Sequence, residues 1–330
     1  MGFCDTSCPM RGALFSILRF AITIGAIVWL VFAVDWTNFW NTAKQVALPV
    51  LIISYVVYML YMIPCGLRWS ATARISGFRL SFIDAVYWDF IHSFMESFLP
   101  LPGSMLLNSS MVAGYCKTST GSVVGTMLAV RVAGMLASVG FLAVTSVVVI
   151  KYATVSHEFL FRVAFFVAGI CCAVGLCLFS VFRRVILRAV RWVPFLAFRK
   201  FFEEIFLVFD ICKARPRQMA GVFGFSLLNQ LCFIVSGWIL ASGIPGFNAP
   251  WYSFFFVTPL VFFMSFIPSI GGYGVNQAAS VVFFGWFGVD GNVAAVYAIV
   301  RLIFGLSTSL IGAIFFALNG NLFIAKETAA

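Results

Sequence analysis

Long runs of apolar residues, separated by short polar clusters, make up most of this chain. Ala13–Val34 is the first run, apolar except for Arg19 near its start, where a long side chain can snorkel to the headgroups. Val46–Pro64, Gly121–Ile150, Phe161–Val181, Gln218–Ser242 and Gly291–Leu318 follow, each long enough to cross a bilayer as a helix. Two further stretches are apolar but interrupted. Asp84–Pro100 and Gly103–Tyr115 flank Pro100, Pro102 and Gly103, while Trp251–Phe287 contains Pro268, Gly271, Gly272 and Gly274. Proline removes a backbone donor and glycine raises the cost of a helix, so neither stretch is a regular span. Broken backbone inside a bilayer survives only where protein or a water-filled cavity satisfies its N–H and C=O groups. The two interruptions are therefore expected to be the tips of re-entrant hairpins that form part of a site.

The landmarks recur at one offset. Pro268 lies 168 residues after Pro100, Arg301 lies 170 after Arg131, and Gly237 lies 171 after Gly66. Agreement among three landmarks predicts a duplicated unit of about half the chain. The whole of residues 1–330 then forms one integral membrane domain, with repeat 1 over about 13–155 and repeat 2 over about 160–320.

Composition fixes the class. Hydrophobic residues are 62% and charged residues 10%, with a mean hydropathy of +1.05. That is an all-α polytopic membrane protein, not a soluble globule. The net charge of +10 in a soluble protein would suggest nucleic acid; here it is loop charge that sets orientation. With the N-terminus inside, six spans and two hairpins that do not cross, sixteen Lys and Arg fall inside. Only Lys44, Lys151 and Arg162 fall outside. The expected topology is N-in and C-in, in the cell (inner) membrane. Three spans per half make the second copy inverted, and inverted repeats with broken helices meeting near the midplane are a transporter architecture.

Residues 194–212 interrupt the apolar pattern. Phe195, Phe198, Phe202, Ile205, Phe206 and Phe209 recur at helical spacing, with Arg199–Glu203 and Lys200–Glu204 as i,i+4 pairs on the other side. This predicts an amphipathic helix in the interface plane. The nine cysteines are odd in number and mostly within or beside apolar runs, which is no disulfide framework and, without further ligands, no metal site.

Polar residues within the membrane need a reason to be there. Arg131 and Arg301 each lie ten residues into a long span, about 15 Å from its start at 1.5 Å per residue. Asp89, His92 and Glu96 share one face of the first hairpin helix. They are read as a proton or ion-pair network rather than a metal site, because no second cluster completes a coordination shell. For Arg131 two readings stay open, neutralisation by those acids or contact with a lipid phosphate. Residues 243–289 hold no acid at all, so Arg301 is read as a ligand for phosphate, with help from the helix N-terminus that follows Gly274.

The segment Ile267–Ala279, the earlier Phe98–Ser104 and the Arg131 and Arg301 spans behind them resemble the flippase-like transmembrane region of lysylphosphatidylglycerol synthases, which also occurs as stand-alone proteins. The resemblance covers nearly the whole chain. Members typically carry Pro-Gly-Gly-x-Gly-x-x-Glu in the second copy and Pro-x-x-x-Gly-Glu-x-x-Arg in the first. Pro268, Gly271, Gly272 and Gly274 match with an extra residue after the proline. Gln277 stands at the glutamate position, Asn276 where a basic residue is common, and Ser104 where the first-copy glutamate is expected. The resemblance implies transbilayer movement of an anionic phospholipid or a polyprenyl-phosphate-linked lipid, beside a separate synthase or glycosyltransferase. Arg131, Arg301, Asn276 and Gln277 are the implied lipid-phosphate residues, with no cofactor and no metal. Two other function classes stay open, a membrane-embedded lipid transferase and an accessory anchor for a lipid or glycan synthase. Against the transferase stands the absence of an Asp-rich metal motif and a nucleotide loop.

Overall fold

The computed structural model describes residues 8–99, 101–152, 169, 196–265, 267, 269 and 271–327. Their regular structure is entirely helical. In chain order the helices are α1 Cys8–Ala33, α2 Trp36–Lys44, α3 Leu48–Met59, α4 Met62–Ile75, α5 Phe82–Phe98, α6 Leu101–Cys116, α7 Thr120–Tyr152, α8 Leu196–Ala214, α9 Pro216–Ser242, α10 Trp251–Met264, α11 Val275–Gly285 and α12 Gly291–Glu327. Leu48–Ile75, Thr120–Val149, Pro216–Ser242 and Gly291–Leu318 are long and apolar enough to cross a membrane. Ala21–Ala33 and Trp36–Lys44, bent by 82° at their junction, together pass the same test. The expected span Phe161–Val181 lies, residue 169 apart, outside the described residues.

Local chemistry sets the helix ends. Asp35 caps α2, its Oδ1 accepting from the Thr37 N–H at 3.0 Å and the Asn38 N–H at 3.3 Å. Its own N–H donates to Asn292 Oδ1 at 2.7 Å, which ties the bend after α1 to the start of α12. Ser81 caps α5: its Oγ accepts from the Asp84 N–H and donates to Asp84 Oδ2. The Tyr115 hydroxyl donates to the other Asp84 oxygen at 3.0 Å and so joins the outer ends of the first hairpin. Pro216 opens α9, in the first turn, where its missing N–H costs nothing.

Two sequence expectations need correction. The second span does not stop at Pro64; α3 and α4 run on to Ile75 and carry Arg68 and Arg74 in helix. Their neighbours Ser70 and Thr72 look loop-like by hydropathy but turn inward, the Ser70 hydroxyl donating to the Leu80 carbonyl at 2.8 Å. The first hairpin break is also narrower than the sequence suggests. Leu99 is extended at the end of α5 and helix resumes at Leu101, so Pro102 and Gly103 lie within the first turn of α6. Proline is accommodated there for the reason just given for Pro216.

The helices pack in exchanged pairs. The first hairpin arm, α5, lies along α12, the last long helix. Gly312 allows this, because any Cβ there would collide with the Phe90 carbonyl. In the other half, α10 lies along α7, with the Thr145 hydroxyl reaching the Phe255 carbonyl. Between these pairs α9 crosses α3 and α4. Ser54 and Ser236 seal that crossing, each hydroxyl donating to the other residue's carbonyl at 2.8 and 2.9 Å. Helix α8 sets Ile205, Val208 and Cys212 against α7, where Gly125 leaves room for Val208.

Candidate functional site

A cavity of about 680 Å³ opens between the two hairpins and the long helices behind them. Arg131, Arg301, Asn276, Gln277 and the Asp89–His92–Glu96 face all line it, as do Gly271 and Gly272. Residues chosen from separate stretches of sequence are thus brought to one place. Pro102, Gly103 and Gly274 are not among its walls, and Pro100 and Pro268 lie outside the described residues.

The wall at the second break is built by backbone. Gly271, Gly272 and Gly274 have φ of 58°, 72° and 76°, a region that costs a residue bearing Cβ about 1–2 kcal/mol. None of them has room either, and a Cβ on Gly271 would lie 2.8 Å from the Tyr273 ring. A Cβ on Gly272 would meet the Asn276 amide, and one on Gly274 would press on Ala26 and the Ile27 backbone of α1. Gly274 caps α11, and its N–H donates to Gln277 Oε1 at 2.8 Å. The Gln277 oxygen is therefore spent on shaping the helix start. Asn276 accepts from the Ser265 hydroxyl at 3.3 Å across the break.

The two arginines have different surroundings. Arg131 Nη2 is 3.0 Å from Glu96 Oε1 and 3.4 Å from His92 Nε2, so it is neutralised within its own half. Arg301 meets no carboxylate among the described residues. Its Nη1 donates to Ser236 Oγ at 3.0 Å, and its guanidinium lies 5.1 Å from the Tyr58 ring centroid and 5.6 Å from that of Phe233. A guanidinium has five N–H groups, and the serine takes one. Two cation–π contacts at about 0.5–2 kcal/mol each offset much of the ~2.5–3.5 kcal/mol that an arginine costs at a helix centre on insertion scales. The rings hold the cation in place without cancelling its charge.

Sequence reasoning missed Arg68. It lines the same cavity, its Nη2 is 3.6 Å from Cys65 Sγ, and it lies within electrostatic range of Asp89 but beyond ion-pair distance. The available signal was its place four residues after Pro64, with Trp69 and Ser70 continuing a helical pattern toward Ile75.

Apolar helices of membrane-spanning length enclosing a polar cavity define a multi-pass membrane protein. The family model for the lysylphosphatidylglycerol synthase TM region matches residues 16–312, and the chain belongs to that family. No curated protein and no solved structure matches it.

Proposed function

We propose that this protein carries a phosphate-bearing lipid across the bilayer, with Arg301 as the anchor for the phosphate. One observation carries the reading: a guanidinium without a carboxylate partner, faced into a membrane cavity by two aromatic rings and a serine. An anion completes such a site, and phosphate accepts the forked geometry of a guanidinium. The exchanged packing, α5 on α12 and α10 on α7, supports an inverted duplication in which each hairpin leans on the other half. Asn276 and Arg131 stand at the margins of the phosphate site, and Gln277 contributes by fixing the start of α11. The N-in, C-in orientation in the cell membrane follows from the loop cations, and a separate synthase or glycosyltransferase would supply the lipid.

The experiment is reconstitution of the pure protein in liposomes with a fluorescent phospholipid, scoring label that crosses to the other leaflet. Wild type should move it, R301K should retain part of the rate, and R301Q should be inactive while remaining folded. Equal rates for wild type and R301Q would reject the anchor role, and no movement by any variant would reject lipid transport.

A further inference from the structure

The cavity walls carry further polar side chains besides Arg301 and its partners. Trp69, His92 and Gln230 are among them and are 3%, 7% and 6% exposed. The indole N–H of Trp69, Nδ1 of His92 and the amide nitrogen of Gln230 are buried with no hydrogen-bond partner, and so is Nε of Arg68. A buried donor left unpaired costs about 1–3 kcal/mol, so a cluster of them around one cavity marks where a ligand completes the bonding. Asn108, the other residue with unpaired buried atoms among the described residues, does not line the cavity.

Charge selects the ligand. Arg131 pairs with Glu96 and Arg68 lies within electrostatic range of Asp89, so two cations are balanced in number by two acids, whereas Arg301 has no carboxylate partner among the described residues. A second phosphate, which only accepts, would face two carboxylates. An ammonium, which only donates, would leave Arg68, Trp69 and Gln230 unsatisfied. Hydroxyl groups do both. Spacing adds a constraint: Gln230 and Ser236 lie on the continuous helix α9, six residues apart, about 9 Å along its axis at 1.5 Å per residue. That exceeds the reach of an ethanolamine from its own phosphate and suits a sugar-sized group.

We propose that Arg68, Trp69, His92 and Gln230 form a headgroup subsite for a neutral, polyhydroxylated group carried on a phosphodiester lipid. The proposal rests on Arg301 as phosphate anchor and names the class of lipid that site takes.

The test measures binding of phosphatidylinositol, phosphatidylethanolamine and phosphatidic acid, with matched acyl chains, to the purified protein. Wild type should bind phosphatidylinositol about ten-fold more tightly than the other two, the effect of one or two added hydrogen bonds. Q230L and W69F should each bring phosphatidylinositol down to the level of phosphatidic acid. Both replace a donor that has no partner in the empty protein, so neither strands a bonded group. R301Q should weaken all three lipids. Equal binding of the three lipids by wild type, tighter binding of phosphatidylethanolamine, or a preference that survives in both Q230L and W69F overturns the subsite. Unchanged binding in R301Q overturns the phosphate anchor instead, so the two failures are told apart.

Discussion

Arg131 and Arg301 stand 170 residues apart at corresponding points of two long helices, yet Arg131 is held 3.0 Å from Glu96 while Arg301 packs against Tyr58 and Phe233 with a serine as its hydrogen-bond partner. One guanidinium is neutralised by a carboxylate, and the other lines the cavity with no carboxylate against it among the described residues. The difference lies in the first hairpin arm, which carries carboxylates, against the second, which carries none.

Stability should separate them. R131Q leaves Glu96 without its cation and should cost about 1–3 kcal/mol, discounted because both side chains keep partial exposure to the cavity. E96Q in the same chain should recover most of the loss. R301Q strands no acid and should leave the thermal midpoint within a degree or two of wild type, equivalent to less than ~0.5 kcal/mol. A double-mutant cycle with purified protein measures both, and coupling between Arg301 and Glu96 above about 1 kcal/mol would contradict the assignment.

Gly272 combines positive φ with contact against the Asn276 amide. G272A should therefore cost about 1–3 kcal/mol, part backbone and part collision. N276A removes the collision together with the Ser265 hydrogen bond, so the cost of G272A measured in an N276A background should be smaller than in wild type and not zero. A cost of zero would mean that backbone conformation contributes nothing there.

The Ser54–Ser236 crossing also positions Arg301. S54A should cost about 0.6–1.7 kcal/mol, the range for interhelical hydrogen bonds in membranes, while sparing the Arg301 contact. S236A should cost a similar amount and in addition change lipid affinity. Equal effects on lipid binding from both variants would show that the serine acts through helix packing only.

Orientation is tested with single cysteines in a cysteine-free background. Position 44, at the end of α2, should label from outside only, and position 117, between α6 and α7, from inside only. Both side chains are exposed and accept the change. Labelling of the two from one side would remove the basis for an inverted second half.

Much of this arrangement could be read from the chain because its signals are local. Apolar runs gave the spanning helices, and Gly271, Gly272 and Gly274 announced a break because few other residues adopt their backbone angles. The face shared by Asp89, His92 and Glu96 followed from helical spacing alone. Arg68 was missed because an arginine beside serines and threonines reads as a loop by hydropathy, and only the tertiary partners of Ser70 and Thr72 show that the segment turns inward. The partner of Arg131 was undecided for a similar reason: pairing depends on the distance between α5 and α7, which no single helix encodes. The narrow first break reflects a property of proline that spacing does not reveal, its tolerance in an opening helical turn.

The exchanged packing has a consequence for how the protein is made. Helix α5 leaves the ribosome early, but the surface it needs, around Gly312 on α12, is synthesised more than two hundred residues later. During insertion the first hairpin must wait in the membrane with Ser97 and the Phe90 carbonyl face uncovered, until α12 arrives to accept them. Neither half has a finished interior of its own, so quality control in the cell should act only once α12 has been made. A substitution at Gly312 would then be detected as faulty assembly of a hairpin made more than two hundred residues earlier.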